Sequence, residues 1–242
     1  FDLIAGNPPW VNWESLAKEW RELSRGLWIK YGLFTLKGHK ARLGGGKKDI
    51  AMLFTYACAD HYLKPKGRLG FVITQTLFKS KGAGDGFRRF KLGEKGMPLG
   101  VMHVDDMSKL QPFEGATNKT AILIIEKGRH TRYPVPYTFW RKKERGKIPL
   151  ESTLQDARNR TRISYLEAVP VDQKRPTSPW LTMRAQDLHI IQKVIGKSDY
   201  KARAGASTWL NGVYFVHILE NRPDGLVIIE NLHDTGKIKV PK

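Results

Sequence analysis

One cysteine, Cys58, stands in a chain of 242 residues. No disulfide can close within such a chain, and a reducing, cytoplasmic setting is expected. Cys58 falls inside an apolar helical pattern, so the sequence predicts a buried thiol rather than a nucleophile. Long apolar runs are missing too. The longest, such as Ala121-Ile122-Leu123-Ile124-Ile125, are far too short to span a bilayer. No signal peptide is visible, and no membrane partner is expected. The seven histidines show no metal-ligand spacing, so no metal is predicted. Negative charge is scarce: Lys and Arg number 42 against 23 Asp and Glu, a formal net charge of +19. An excess of that size favours polyanions, nucleic acid first, although charge alone does not separate DNA from RNA or anionic lipid.

What is present begins with an apolar run, Phe1-Asp2-Leu3-Ile4-Ala5-Gly6, which reads as a buried strand stopped by Gly6. A start in mid-strand is expected of a fragment of a longer protein. Asn7-Pro8-Pro9-Trp10 follows. Neither proline has an N–H and both have a fixed φ, so the backbone is held stiff just past the carboxyl end of a strand. Open α/β sheets place their ligands at that edge. Asn7 offers an amide oxygen, the carbonyl of Pro8 a second acceptor, and Trp10 a large flat ring. Two acceptors beside one aromatic face suit a planar, conjugated NH2 group. Such a nitrogen is a poor nucleophile because its lone pair is delocalised. Accepting both of its protons pushes it toward sp3 and frees the lone pair. The alternative is a strand followed by a rigid proline turn.

The Asn-Pro-Pro-aromatic string after a strand resembles motif IV of the amino-group methyltransferases that use S-adenosylmethionine, above all the adenine-N6 DNA methyltransferases. The resemblance implies a target base flipped from the duplex, bound by Asn7, Pro8 and Pro9 and stacked by Trp10. Further along, Asp49 opens a helical pattern with Ile50, Leu53, Phe54, Ala57 and Cys58 on one face. A Lys-Pro-x-Gly turn and the strand Arg68 to Thr74 come next. That order is similar to motifs V and VI of the family, which implies a cofactor-lining role for Asp49; a plain helix cap is the other reading. Phe113, ahead of a strand from Thr120 to Glu126, resembles motif VIII, and is expected to face Trp10 across the flipped base or to be an ordinary core anchor. Base–aromatic stacking is worth about 1–3 kcal/mol per base.

Between these motifs lie basic stretches. Lys30 to Lys48 includes Gly44-Gly45-Gly46-Lys47-Lys48, which lacks the Gly-Lys-Ser/Thr ending of a P-loop and reads as a mobile basic loop. Lys47, Lys48, Lys119, Arg141, Lys142 and Lys143 are the expected contacts to nucleic-acid phosphates; a solvated charge run is the plainer reading of the last three. Leu16, Trp20, Leu23 and Leu27 predict the inward face of a helix. Tyr133 to Trp140 predicts a mostly edge strand, since Pro134 and Pro136 interrupt pairing.

The expected organisation is α/β: residues 1–145 as the catalytic half of a Rossmann-like methyltransferase sheet, 146–195 as a connector, and 196–242 as the start of a mostly β target-recognition domain. Asn211-Gly212 predicts a hairpin turn in that last part. The glycine-rich cofactor loop of the family is missing. Phe113-Glu114-Gly115-Ala116, the nearest string, lacks the second glycine and precedes a strand. This chain alone is therefore expected to bind S-adenosylmethionine poorly or not at all. The function expected from the resemblance is transfer of a methyl group to adenine N6 of double-stranded DNA, within a restriction-modification or phage-defence system whose other subunits are possible partners. The alternatives are methylation of cytosine N4, RNA guanine or protein glutamine, and a non-catalytic DNA-binding module.

Overall fold

In the computed structural model, the described residues are 1–34, 48–82, 84–110, 112–113, 118–144, 146, 148–149, 151–195, 200, 215–231 and 237–241. They form two compact units, Phe1–Ile195 and Gly196–Lys242.

The first unit is built on a seven-stranded mixed sheet. Its strands are β1 (Leu3–Gly6), β2 (Arg68–Thr74), β3 (Leu99–Lys109), β4 (Thr120–Lys127), β5 (Val135–Lys142), β6 (Thr161–Pro170) and β7 (Trp180–Met183), in the order β1-β2-β4-β3-β5-β6-β7. β1 and β2 run parallel, with Gly6 opposite Phe71, and the crossover between them carries α1 (Lys18–Lys30) and α2 (Ile50–His61). β4 runs antiparallel between β2 and β3. β3 and β5 are parallel. The carboxyl ends of β1, β2, β3 and β5 therefore share one edge of the sheet.

One face of the sheet is closed by a core. Leu69, Phe71 and Ile73 of β2, Leu123 and Ile125 of β4, and Val101 and Val104 of β3 pack with Trp28 of α1 and Met52 and Tyr56 of α2. Along β2 and β4 every second side chain falls on this face, and in β3 a bulge between Val101 and His103 brings Val104 onto it. The carboxyl end of α2 is satisfied by Lys127, whose Nζ donates to the carbonyls of Asp60 and Leu63 at 2.8 Å each. Asp60 lies in the last turn, where a helix leaves its carbonyls without partners, and Leu63 lies just beyond it.

Three expectations are corrected here. The apolar set Trp20, Leu23 and Leu27 does not face inward: Trp20 is 65% and Leu23 77% exposed, and Trp28 is the buried residue of α1. Of the expected face of α2, Leu53 is buried, Ile50, Ala57 and Cys58 are half-buried against the core, and Phe54 is exposed; Met52, Tyr56 and Ala59 are buried as well, because the helix is apolar on nearly all sides. β5 is an interior strand, paired with both β3 and β6. Its ladder to β3 begins at Tyr137, one residue after Pro136, so the missing N–H of Pro136 breaks no bond on that side.

Residues 146–195 are more than a connector. They contain α4 (Leu154–Asn159), β6, β7 and α5 (Leu188–Val194), and β6 and β7 extend the same sheet that β1 begins. α3 (Thr76–Lys79) is a single turn following β2.

The second unit shows an antiparallel three-stranded sheet, β8 (Val216–Asn221), β9 (Leu226–Asn231) and β10 (Lys237–Pro241), with β9 in the middle. The expected Asn211-Gly212 turn lies outside the described residues.

Candidate active site

Asn7 sits immediately after β1, at the shared carboxyl edge. Its side chain is exposed, and Pro8 is buried against the body of the fold. Among the described residues, neither the Asn7 amide nor the Pro8 carbonyl has a hydrogen-bond partner. Two acceptors on a stiff corner are thus left uncommitted. Trp10 is half-buried, and its indole N–H donates to the carbonyl of Val72 on the neighbouring strand at 3.0 Å. That bond fixes the ring beside the corner.

The chain after Trp10 is stapled to the start of α2. Ile50 N–H donates to the Val11 carbonyl at 2.9 Å, Trp13 N–H donates to the Lys48 carbonyl at 2.7 Å, and Asn12 and Asp49 form an isolated antiparallel bridge. Asp49 locks the other side of the staple. One carboxylate oxygen accepts from the Ala51 N–H at 2.9 Å and caps α2; the other accepts from the Thr74 hydroxyl, also at 2.9 Å, at the end of β2. Burial pushes its carboxyl pKa up, and these two bonds pull it partly back. Of the two readings, the geometry supplies the helix cap. Both oxygens carry hydrogen bonds inside the fold, and the cap is the role these contacts display.

Phe113 is close to Trp10, but not across a gap. The rings meet edge-on, with centroids 5.0 Å apart and planes at 74°. A base sandwiched between two flat rings needs about 7 Å, twice the ~3.4 Å stacking rise. The two rings are in contact in this conformation, so a base can lie between them only if Phe113 swings aside. Its 36% exposure leaves it room to move.

The expected phosphate contacts divide. Lys119 is exposed at the active edge, and its carbonyl accepts from the Gln75 N–H at 2.7 Å. Arg141 and Lys143 are exposed and Lys142 half-buried, at the carboxyl end of β5. Lys48 is corrected: it is buried, with its ammonium 5.4 Å from the centre of the Phe34 ring, so it faces the core rather than solvent. Lys47 and the glycine run before it lie outside the described residues.

A polar network missed in the sequence lies along the same edge. Buried Asp106, near the end of β3, accepts from the Tyr137 hydroxyl and from the Gln75 amide at 3.2 Å. Lys79 lies 5.3 Å from the Tyr137 ring centre and donates to Thr182 at 2.8 Å. Burial pushes the Lys79 ammonium down to about 8, against the opposing pull of Asp106. Burial, then the Asp106 charge, pushes the Tyr137 phenol up. The visible signal was an acidic pair, Asp105-Asp106, breaking an apolar strand. Arg88 was also missed. Wholly buried, it ties the Leu77, Ser80 and Thr177 carbonyls together and pairs with Asp85 at 2.7 Å.

Residues 1–104 match the family described as Eco57I restriction-modification methylase. That segment carries both the Asn-Pro-Pro-Trp corner and Asp49. No curated protein sequence matches the chain. Among solved structures, the DrdV–DNA complex is similar at 16% identity and a TM-score of 0.41, over 72% of this chain and 18% of that one. A nuclease-deletion mutant of the Type ISP restriction-modification enzyme LlaGI, in complex with a DNA substrate mimic, gives 18% and 0.41 over 73% and 17%. The M protein of the type I restriction enzyme EcoKI gives 15% and 0.32 over 59% and 36%. This chain thus spans under a fifth of the length of the first two.

Proposed function

We propose that this chain supplies the base-amine site of a DNA methyltransferase acting on adenine N6 in a restriction-modification or defence system. The observation that carries the reading is the uncommitted pair of acceptors, the Asn7 amide oxygen and the Pro8 carbonyl, held beside an anchored indole. The Asn7 and Pro8 oxygens accept the two amine protons. The nitrogen loses conjugation with its ring, and its lone pair turns toward the side where a methyl group is offered. Trp10 holds the ring while this happens, after Phe113 has moved off it. S-adenosylmethionine, when bound, supplies an electrophilic methyl group. The chemistry assigned to this chain stops at the amine. The net charge of +19 fits a duplex DNA substrate. Amine geometry alone also admits cytosine N4, and the experiment tells them apart.

Methylation-sensitive sequencing of DNA from cells carrying the full-length protein should show a modified adenine at a fixed site. Asn7→Ala should abolish it and leave salt-dependent duplex binding nearly unchanged. Equal methylation by both proteins refutes the assignment; a modified cytosine corrects the base.

A further inference from the structure

We propose that the far end of the β5–β6 ribbon is a clamp for the DNA backbone, gripping phosphates roughly half a helical turn from the flipped base. The inference rests on the reading of Asn7 as the base-amine site, and it adds residues and a position that this reading does not give.

The ribbon carries unusual charge. Residues 141–162 hold eight Lys and Arg against three Asp and Glu. Arg141 of β5 lies directly opposite Arg162 of β6 in the ladder, and Lys143 N–H donates to the Arg160 carbonyl two residues beyond. Like charges directly opposite each other on a β-ladder repel and destabilise the pairing. Here they are kept together near the start of a ten-residue strand whose longest buried run, Ala168 to Pro170, is at its other end. Of the three acids, Asp156 is already engaged by Thr153 in a capping box. Arg141, Lys143, Arg158, Arg160 and Arg162 are all exposed.

The same place holds a cleft of about 370 Å³, lined by Lys142, Lys143, Glu144, Gly146, Ile148, Asn159 and Arg160. Its two ammonium groups rest on backbone carbonyls: Lys142 Nζ donates to Gly146 at 2.8 Å and Lys143 Nζ to Asn159 at 2.7 Å. Both acceptors are neutral. A phosphate oxygen entering the cleft offers each ammonium a charged acceptor, and charge-assisted bonds are roughly twice as strong as neutral ones. Arg160 at the rim adds a planar donor suited to a phosphate.

Position identifies the anion as the substrate's own backbone. β5 runs parallel to β3, so its carboxyl end opens on the edge where Asn7 lies. The strand order puts four interstrand steps between β1 and β5. At ~4.8 Å each, the separation across the sheet is about 19 Å. A DNA strand advances ~3.4 Å per nucleotide, so that span corresponds to about five or six phosphates. Arg141 also lies four residues beyond Tyr137, which is level with Val104 in the β3 ladder. The ribbon therefore projects past the strand level at which Asn7 stands and forms a wall for a duplex laid along the edge.

The test uses the full-length protein and a fluorescein-labelled duplex of random sequence. The variant is Arg141→Gln with Arg160→Gln and Arg162→Gln. The charge-matched control is Lys64→Gln with Lys66→Gln and Arg129→Gln, three exposed residues at the opposite edge of the sheet. All six lie on the surface, and circular dichroism checks that both variants fold. The slope of log K against log salt should fall by about 2–3 in the clamp variant, ~0.9 for every phosphate no longer gripped. It should change little in the control. Equal falls in both variants mean diffuse attraction and overturn the clamp, as does an unchanged slope in the clamp variant. Ethylation interference around the mapped methylated base gives the position: modification about five or six phosphates away should weaken the parent and not the clamp variant, and no interference there also overturns the proposal. Asn7→Ala reads separately. Loss of methylation in the clamp variant alone leaves the amine site standing, whereas methylation by Asn7→Ala removes the amine site whatever the slope.

Discussion

Replacing Asp49 with alanine removes two acceptors at once. The Ala51 N–H loses its helix cap, worth about 1 kcal/mol, and the Thr74 hydroxyl is left buried without its partner, at about 1–3 kcal/mol. The staple that holds Val11 to Trp13 against α2 loosens with them. Asp49→Ala should therefore destabilise the protein by about 2–4 kcal/mol in denaturant unfolding and lower methylation through the disordered corner. Asp49→Asn keeps a cap acceptor and should cost less than half as much. If Asp49 acted mainly on a cofactor, both variants would lose activity with little change in stability. At this scale the sequence was most informative where chemistry needs a rare combination. Asn7-Pro8-Pro9-Trp10 is legible because two prolines admit so few backbones. Asp49 was legible only as a choice of two roles, since capping and ligation both want a carboxylate at a helix start. Phe113 was expected to face Trp10 across a base or to anchor the core; the two rings meet edge-on, at an angle that no residue pattern encodes.

Among the elements, α1 gives the sharpest contrast. Its apolar stripe, Trp20, Leu23 and Leu27, points to solvent, and its one fully buried residue is Trp28. Trp28 stacks on Phe34 with centroids 5.3 Å apart and meets Trp13 at 6.5 Å. Periodicity finds an apolar face; it does not tell which neighbour that face meets. Trp28→Ala should cost about 3–5 kcal/mol, as expected of a large core truncation. Trp20→Ser should fall within about 0.5 kcal/mol of the parent. Equal costs in chemical denaturation would show that the stripe, not Trp28, anchors the helix. The turn before β2 teaches a related lesson. In Lys64-Pro65-Lys66-Gly67 the left-handed residue is Lys66, at φ 65°, not the glycine. Gly67 is needed for space instead: an added Cβ would lie 2.9 Å from both the Leu63 side chain and the Lys64 carbonyl. The sequence marked the turn, and packing decided which residue bore the strain.

For the molecule as a whole, the mixed α/β class and the early strands were legible, because β2 and β4 read as short, strongly apolar runs. β6 and β7 were not. One face of β6 stays partly exposed, so its pattern is diluted, and prolines cluster at Pro170, Pro176 and Pro179 where the chain turns between the two strands. Sequence composition gave the net charge but not its placement. Folding gathers one share of it on the β5–β6 ribbon, and pairing Arg141 with Arg162 required a register that only long-range pairing fixes. The same non-local assembly explains Asp106, a charged residue in a buried strand until Tyr137 and Gln75 arrive from elsewhere in the chain.

Among the described residues, β1 pairs with β2 alone and stands at one margin of the sheet. The corner that would receive the amine hangs from that strand, so its sharpness depends on a ladder of four residue pairs, with Pro8 and the Trp10 indole as its other moorings. Local opening follows bracing. In hydrogen–deuterium exchange, the outward amides of Leu3–Gly6 should trade their protons quickly while those of β4, flanked on both sides, resist. Any strand that docked along that margin would slow the first set and, by steadying Asn7, tighten the grip on the base.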